Sequence, residues 1–470
     1  MIRMTLADIA DAVDGALRLA GDDTAETVVD GTVDTDSREM GPNSVFVAKP
    51  GETTDGHLFV GAAVDAGAAA AIVEHPVDVA VSQIVVADAV RALADLARVV
   101  VARVRAAGDL QVVGITGSNG KTTTKNLVAR ILADEGETIA PRNSFNNEVG
   151  APVTMLRVTE GTRYLVSEFG ASRMGRIAEL AGLVTPDVGA VLMVGLAHAG
   201  GFGGVEATQR AKTELVEAVR PGGVAVLNAD DPRVAAMAEV AAARGVSVRW
   251  FGRGARAEIR AEDVEVSASG TTCTVVVGDE RLPLRLQVLG EHHVMNALAA
   301  IAIAEQLGVA PATSVQRLET VQLAERWRMQ PMGSDRVRII NDAYNASPDS
   351  MAAALRTLAQ ITEPGQRKVA VLGVMSELGE YSGEEHDRVG LLAVRLRVDR
   401  IVVVGPEARR LFISTIGEGS WDGEAVYFAT QDEAYDYLMT ELRDGDRVLV
   451  KSSNSAGLRH LGDRLGESFS

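Results

Sequence analysis

The chain has 470 residues, 23% of them charged and 47% hydrophobic, with a formal net charge of −18. That length exceeds what one hydrophobic core organises, so several domains are expected. The acidic balance argues against nonspecific binding to nucleic acid or to an anionic membrane, and a lone cysteine, Cys273, rules out an internal disulfide framework and suits a reducing compartment.

From Met1 the chain runs into Asp8 and Asp11 without an apolar signal core. The longest apolar run, residues 188–197, is too short to span a bilayer, so a cytoplasmic protein without membrane insertion is expected. Residues 1–107 read as a first unit. Residues 5–17 are amphipathic and predict a helix. Short β-rich pieces follow at 28–29, 44–47, 70–73 and 83–86. Two polar clusters stand between them, Asp36-Ser37-Arg38 and Asp55-Gly56-His57. A guanidinium beside a hydroxyl binds anions, because its planar fork matches phosphate; a turn with solvated charges is the other reading of the same residues. Residues 93–107 predict a helix leading into the next unit.

Residues 108–330 read as the second unit, organised on Gly114-Ile115-Thr116-Gly117-Ser118-Asn119-Gly120-Lys121-Thr122-Thr123-Thr124. An apolar run at 110–115 predicts a buried strand before it, and 123–135 predicts a helix after it. Strand, glycine loop and Lys-Thr at a helix start form the geometry that holds a nucleotide triphosphate. The glycines let backbone N–H groups converge on phosphate oxygens, and the helix start adds free donors and partial positive charge. Lys121 would reach the β- and γ-phosphates and the Thr122 hydroxyl would ligate Mg²⁺. Ile115 stands where the strict pattern has glycine, so this is the variant Thr-Gly-x-x-Gly-Lys-Thr.

Strands and helices then alternate, which implies a mostly parallel sheet with active residues at strand C-termini. One predicted strand ends at Glu168; another, at 188–194, has His198 just past it. A carboxylate and an imidazole there suit a Mg²⁺ ion and a second metal ion. Lys212 falls on a predicted helix at 207–219. Residues 255–288 alternate β-branched and polar residues, a small antiparallel excursion with turns at Ser269-Gly270 and Gly278-Asp279. Cys273 lies among these β-branched residues and reads as core. His292, His293 and Asn296 open a helix at 294–307, on which the two histidines are expected to face different directions.

Residues 331–470 read as the third unit, a second doubly wound α/β domain with strands at 337–340, 368–372, 400–404, 425–428 and 447–450. Its polar stretches, 341–348, 373–379 and 451–454, each follow a strand, where ligands bind in such sheets. Gly373 and Gly379 do not make a dinucleotide fingerprint, so a nicotinamide cofactor is not expected.

Together these pieces resemble the Mur ligase family over nearly the whole chain. The family loop is Thr-Gly-x-x-Gly-Lys-Thr, as at 116–122, so Ile115 is at home there. Residues 143–150, with Asn146 and Asn147, resemble its asparagine-rich substrate segment. Glu168-Phe169-Gly170-Ala171 and Gly195-Leu196-Ala197-His198 resemble its metal-binding stretches. Ala211-Lys212-Thr213-Glu214 resembles the site of a lysine that several members carry as a carbamate. Asn296 and Arg328 match residues near adenine and phosphate, and Asp342 a ribose contact. Ser37, Arg38, Asp55 and His57 match the domain that binds uridine diphosphate. In the third unit Asp342-Ala343-Tyr344-Asn345-Ala346 is similar to the pattern of members that add D-alanyl-D-alanine to UDP-N-acetylmuramoyl-tripeptide; Val374, Arg176 and Asn454 depart from what many relatives carry.

The resemblance implies a monomeric ATP- and Mg²⁺-dependent ligase of three α/β domains. The first is a small unit for the nucleotide-sugar peptide. The second is a central parallel-sheet ATPase domain, with Gly117, Ser118, Asn119, Gly120, Lys121, Thr122 and Thr123 at the phosphates. The third is a Rossmann-like domain for the dipeptide, with Tyr344 and Asn345 at the substrate. It implies metal ligation by Thr122, Glu168, His198 and Lys212, and closure of the third domain about a hinge near 323–333. A ligase that adds the diamino acid itself would carry an Asp-Asn-Pro-Arg signature, which is missing. A folylpolyglutamate synthase-like ligase would leave Ser37-Arg38 and the rest of the first unit unexplained.

Overall fold

The computed structural model describes residues 1–51, 54–196, 203–321, 326–417 and 424–470. Among the described residues three sheets of five, nine and six strands follow one another, beside a two-stranded ribbon pairing Met4–Thr5 with Val28–Val29.

In the five-stranded sheet the order is Ala16–Arg18, Ser82–Val85, Ala68–Val73, Ser44–Val47, Val33–Asp34. All neighbours are parallel except the first pair. The helix expected over 5–17 covers only Leu6–Ala12. Thr5 and Asp8 form a capping box that starts it. Asp14, at φ 50°, then turns the chain in the left-handed region, and residues 16–18 leave as an edge strand. The helix Ala89–Ala107 begins at Asp88, whose side chain accepts from the Arg91 N–H, and buries Leu93, Leu96, Val100 and Val104 along one stripe. That stripe and Leu6 and Ile72 share a core with Val112, Met155, Leu165 and Phe169 of the next sheet.

The nine-stranded sheet is parallel from Glu137–Ile139 through Thr162–Glu168, Gln111–Thr116, Val188–Val191, Val224–Asn228 and Ser247–Gly252 to the start of Ile259–Ser267. It ends in the antiparallel strands Gly270–Val277 and Glu280–Leu286. The excursion expected at 255–288 is therefore a continuation of the central sheet. Gln111–Thr116 lies between two strands that come later in the chain, so the crossovers leave it in opposite directions and open a crevice at its C-terminal end. On the other face the helix His292–Gln306 packs against the helix Lys121–Leu132. Cys273 is buried in Gly270–Val277, and burial pushes its thiol up to about 11, as suits a core residue.

The six-stranded sheet runs Gln330–Gly333, Val337–Asn341, Asp446–Lys451, Arg367–Leu372, Arg400–Val404, Ala425–Phe428. The first strand is antiparallel to its neighbour and was not expected. Residues 330–333 are thus bonded into the third unit, while 322–325 lie outside the described residues, as does His198. No helix among the described residues is long and apolar enough to cross a membrane.

Candidate active site

The phosphate loop leaves the buried strand Gln111–Thr116 and enters Lys121–Leu132 at Gly120, which takes φ 84°. That left-handed conformation favours glycine, and a Cβ there would strike the Asn296 side chain, so Asn296 packs directly on the loop. Lys121 Nζ donates to the Gly117 carbonyl at 2.8 Å. Burial lowers the Lys121 pKa, against the pull of Glu168 and with the push of Arg328. Ser118 is tied to the loop after Val188–Val191: its Oγ accepts from the Gly195 N–H at 2.8 Å.

One cavity of about 310 Å³ opens over this loop, bordered by Lys121, Thr122, Glu168, Lys212, Arg328 and Tyr344 among others. Glu168 is the last residue of Thr162–Glu168, held in register with Ile115. Its Oε1 accepts from Asn146 Nδ2 at 2.7 Å; its Oε2 is buried with no partner. Asn147 also borders the cavity, and its Oδ1 accepts from the Gly150 N–H at 2.8 Å. Lys212, on Val205–Ala218, is buried. Desolvation, then Lys121, lower its pKa to about 7. A buried amine without a carboxylate partner sheds its proton near neutrality.

Residues at the junction with the third unit and just beyond it complete the cleft. Arg328 Nη2 lies 3.3 Å from Thr122 Oγ1 and 3.2 Å from Ser144 Oγ, and its guanidinium covers the Tyr344 ring at 4.1 Å. The backbone that aims it is strained: Trp327 and Met329 take φ 64° and 46°. Hydrogen bonds from Trp327 Nε1 to Asp463, from the Met329 N–H to Asp342 and from the Tyr344 N–H to the Trp327 carbonyl hold that conformation. Asp342 Oδ2 accepts from Lys451 Nζ at 2.6 Å. A second cavity on the other side of the loop is shared by Thr123, Asn296, Asp342 and Asn345. His292 and His293 both border it, with rings 4.2 Å apart. They do not face different directions, because side chains in a helix's first turn lean together toward its N-terminal end. Burial, then His292 and Arg328, keep His293 neutral, well below the usual imidazole pKa.

The structure therefore brings together Gly117, Ser118, Asn119, Gly120, Lys121, Thr122, Thr123, Asn146, Asn147, Glu168, Lys212, Asn296, Arg328, Asp342, Tyr344 and Asn345. Ser144, the hydroxyl between Thr122, Arg328 and Tyr344, was not singled out; a serine in a polar segment carries no mark of that role. Ser37, Arg38, Asp55 and His57 stand apart. Arg38 forks onto Asp36 at the surface. His57 is buried with Nδ1 on Asp55 at 2.6 Å and Nε2 accepting from the Glu74 N–H at 2.8 Å.

Three family models match in succession: the Mur ligase family catalytic domain at residues 32–108, the Mur ligase middle domain at 115–304 and the Mur ligase glutamate ligase domain at 327–454. A relative from Mycobacterium tuberculosis (strain ATCC 25618 / H37Rv), named UDP-N-acetylmuramoyl-tripeptide–D-alanyl-D-alanine ligase, is 43% identical over 99% of this chain and 98% of its own. The chain belongs to the Mur ligase family. Among solved members, the UDP-N-acetylmuramoylalanyl-D-glutamyl-2,6-diaminopimelate–D-alanyl-D-alanyl ligase of Acinetobacter baumannii superposes with a TM-score of 0.84 at 32% identity, covering 99% of this chain and 98% of its own. A MurF ligase from Thermotoga maritima in complex with ADP gives 0.80 at 27% identity, covering 93% and 97%.

Proposed function

We propose that this Mur ligase adds D-alanyl-D-alanine to UDP-N-acetylmuramoyl-tripeptide, at the expense of ATP, in the synthesis of peptidoglycan precursors. The names of its relatives support that reading. The A. baumannii relative is named for an acceptor of alanyl, D-glutamyl and 2,6-diaminopimelate residues, and an alanyl-D-glutamyl peptide ending in a diamino acid is taken as the acceptor here. The observation that carries the proposal is the meeting of the phosphate loop, the unpartnered Glu168 Oε2, the near-neutral Lys212 amine and Arg328 in one cleft.

A carboxylate is a poor electrophile. Transfer of the γ-phosphoryl group of ATP to the tripeptide's terminal carboxylate makes an acyl phosphate; the dipeptide amine attacks its carbonyl carbon, and phosphate leaves. The residues act by position and charge more than by covalent chemistry. Backbone N–H groups of 117–120 and the Lys121 ammonium would hold the β- and γ-phosphates. Asn296 would lie at adenine and Asp342 at ribose, in the cavity on the far side of the loop. Arg328 would face the transferring group from beside Thr122. Asn146, Asn147, Tyr344 and Asn345 would position the two peptides, and Ser37, Arg38, Asp55 and His57 belong to the unit that would take the uridine diphosphate.

A buried carboxylate oxygen with no partner beside a threonine hydroxyl suits a hard cation. Thr122 and Glu168 would hold Mg²⁺, and His198 with a carbamate on Lys212 would hold a second ion; bound there, they supply charge neutralisation on the phosphates. Carbamate formation joins the Lys212 nitrogen to the carbon of CO₂ and releases one proton, which requires the free amine that a pKa of about 7 provides. Water would attack an acyl phosphate, so the third domain would close over the second, and the protein would work as a cytoplasmic monomer.

The test is phosphate release with UDP-N-acetylmuramoyl-tripeptide, with and without D-alanyl-D-alanine. Release that needs both substrates is expected, and Lys121→Ala is expected to lower it by about 10³-fold or more. Release that ignores the dipeptide would remove the ligase reading.

A further inference from the structure

Arg176 is a cation of the cleft that the phosphate-handling group does not use. It borders the same cavity as Lys121, Glu168 and Lys212. Its hydrogen bond and ion pairs run to Glu179 and Glu148, not to the phosphate loop. Its side chain is mostly buried, at 17% exposure. Nη1 lies 3.2 Å from Glu179 Oε2 and Nη2 3.6 Å from Glu148 Oε2, while Nε is buried with no partner. Both glutamates are exposed, and pairs of that kind hold a guanidinium weakly. Five N–H donors in a planar fork leave room for another carboxylate.

The position is also built. Gly175 takes φ 83°, and the buried Glu214 accepts from the N–H groups of Gly175 at 2.6 Å and Ala178 at 3.0 Å. Glu214 sits on Val205–Ala218, the helix that carries Lys212. The start of Arg176–Gly182 is therefore bolted to the same helix as the near-neutral amine, and Arg176 and Lys212 border one cavity.

We propose that Arg176 binds a carboxylate of the acceptor peptide that does not react, and so sets which tripeptides this ligase accepts. The proposal rests on the ligase reading above. An alanyl-D-glutamyl-diaminopimelate acceptor offers two such carboxylates: the free one of the glutamyl residue and the distal one of the diamino acid. Both present the same chemistry to the fork.

The test is steady-state phosphate release by the full chain, varying tripeptide at saturating ATP and D-alanyl-D-alanine. Arg176→Gln is expected to raise the tripeptide KM by about tenfold or more, while the KM values for ATP and dipeptide stay within about twofold and kcat falls less than KM rises. Arg176→Lys keeps the charge without the fork, and is expected to fall between Gln and wild type. Two substrate arms name the carboxylate. One replaces diaminopimelate by lysine; the other replaces D-glutamate by D-glutamine. The Gln penalty is expected to vanish in the arm that lacks the contacted carboxylate. An unchanged tripeptide KM in both variants, or a penalty that persists in both arms, would overturn the proposal while leaving the ligase reading intact. Wild-type protein that turns over no tripeptide would overturn both.

Discussion

The central unit and the C-terminal unit each bury a lysine beside the cleft, and they treat its charge in opposite ways. Lys451 ends the strand Asp446–Lys451 and spends its ammonium on Asp342 Oδ2 at 2.6 Å, the Asn345 carbonyl at 3.1 Å and the Asp342 carbonyl at 3.2 Å. Lys212 has no hydrogen-bond or ion-pair partner among the described residues and faces Lys121, and its pKa drops to about 7. One charge is matched and serves to shape the loop 342–345. The other is unmatched, so the amine becomes a reagent. Burial alone does not mark a functional lysine; burial without a counter-charge does.

The comparison can be broken most readily at turnover. Lys212→Arg keeps a cation that cannot deprotonate or become a carbamate, and is expected to cost about 10³-fold in phosphate release with an unchanged circular dichroism spectrum. Near-wild-type rates would show that the free amine is not needed. Stability sharpens the contrast. Lys451→Met leaves the mostly buried Asp342 carboxylate without its ammonium, and urea unfolding should show a loss of about 3 kcal/mol. Lys212→Met removes a charge that is unfavourable to bury, and should lie within about 1 kcal/mol of wild type. Equal losses at the two sites would contradict the distinction. A smaller effect is expected at the phosphate loop: Gly120→Ala forces a Cβ onto φ 84° and against Asn296, and should cost about 1–2 kcal/mol in thermal unfolding and weaken ATP binding.

The smallest change is in pH. The folded Lys212 pKa is lowered from the ordinary 10.5 to about 7, so between those values the unfolded chain holds the extra proton and folding stability from this group rises with pH. The free amine becomes available in the same direction. Under ¹³C-bicarbonate, a carbamate resonance is expected to grow as pH rises through about 7 and to be missing in Lys212→Arg. A resonance that falls with pH would contradict the assignment.

Much of the centre was legible in the sequence because it is local. Gly120, Lys121 and Thr122 are adjacent, and their placement follows from strand, glycine turn and helix start. Glu168 was legible because it ends a strand of the same parallel sheet, and register with Ile115 carries it to the loop. Arg328 was placed by resemblance alone: it meets Thr122 from 206 residues away, held by two left-handed residues whose types, Trp327 and Met329, give no hint of that conformation. Ser144 was invisible for the opposite reason, since its significance is only its place between three partners. His57 shows what the letters of a polar cluster leave out: in Asp55-Gly56-His57 both ring nitrogens are engaged within the first unit. The edge strands Glu137–Ile139 and Gln330–Gly333 are short and partly polar, so no periodicity announced them.

The central claim is that the cleft moves a phosphoryl group onto a carboxylate before an amine captures it. Tripeptide labelled with ¹⁸O in its terminal carboxylate, turned over with ATP and D-alanyl-D-alanine, tests this directly by mass spectrometry of the phosphate released. The account predicts one ¹⁸O carried into each inorganic phosphate. Unlabelled phosphate alongside normal amide product would contradict it.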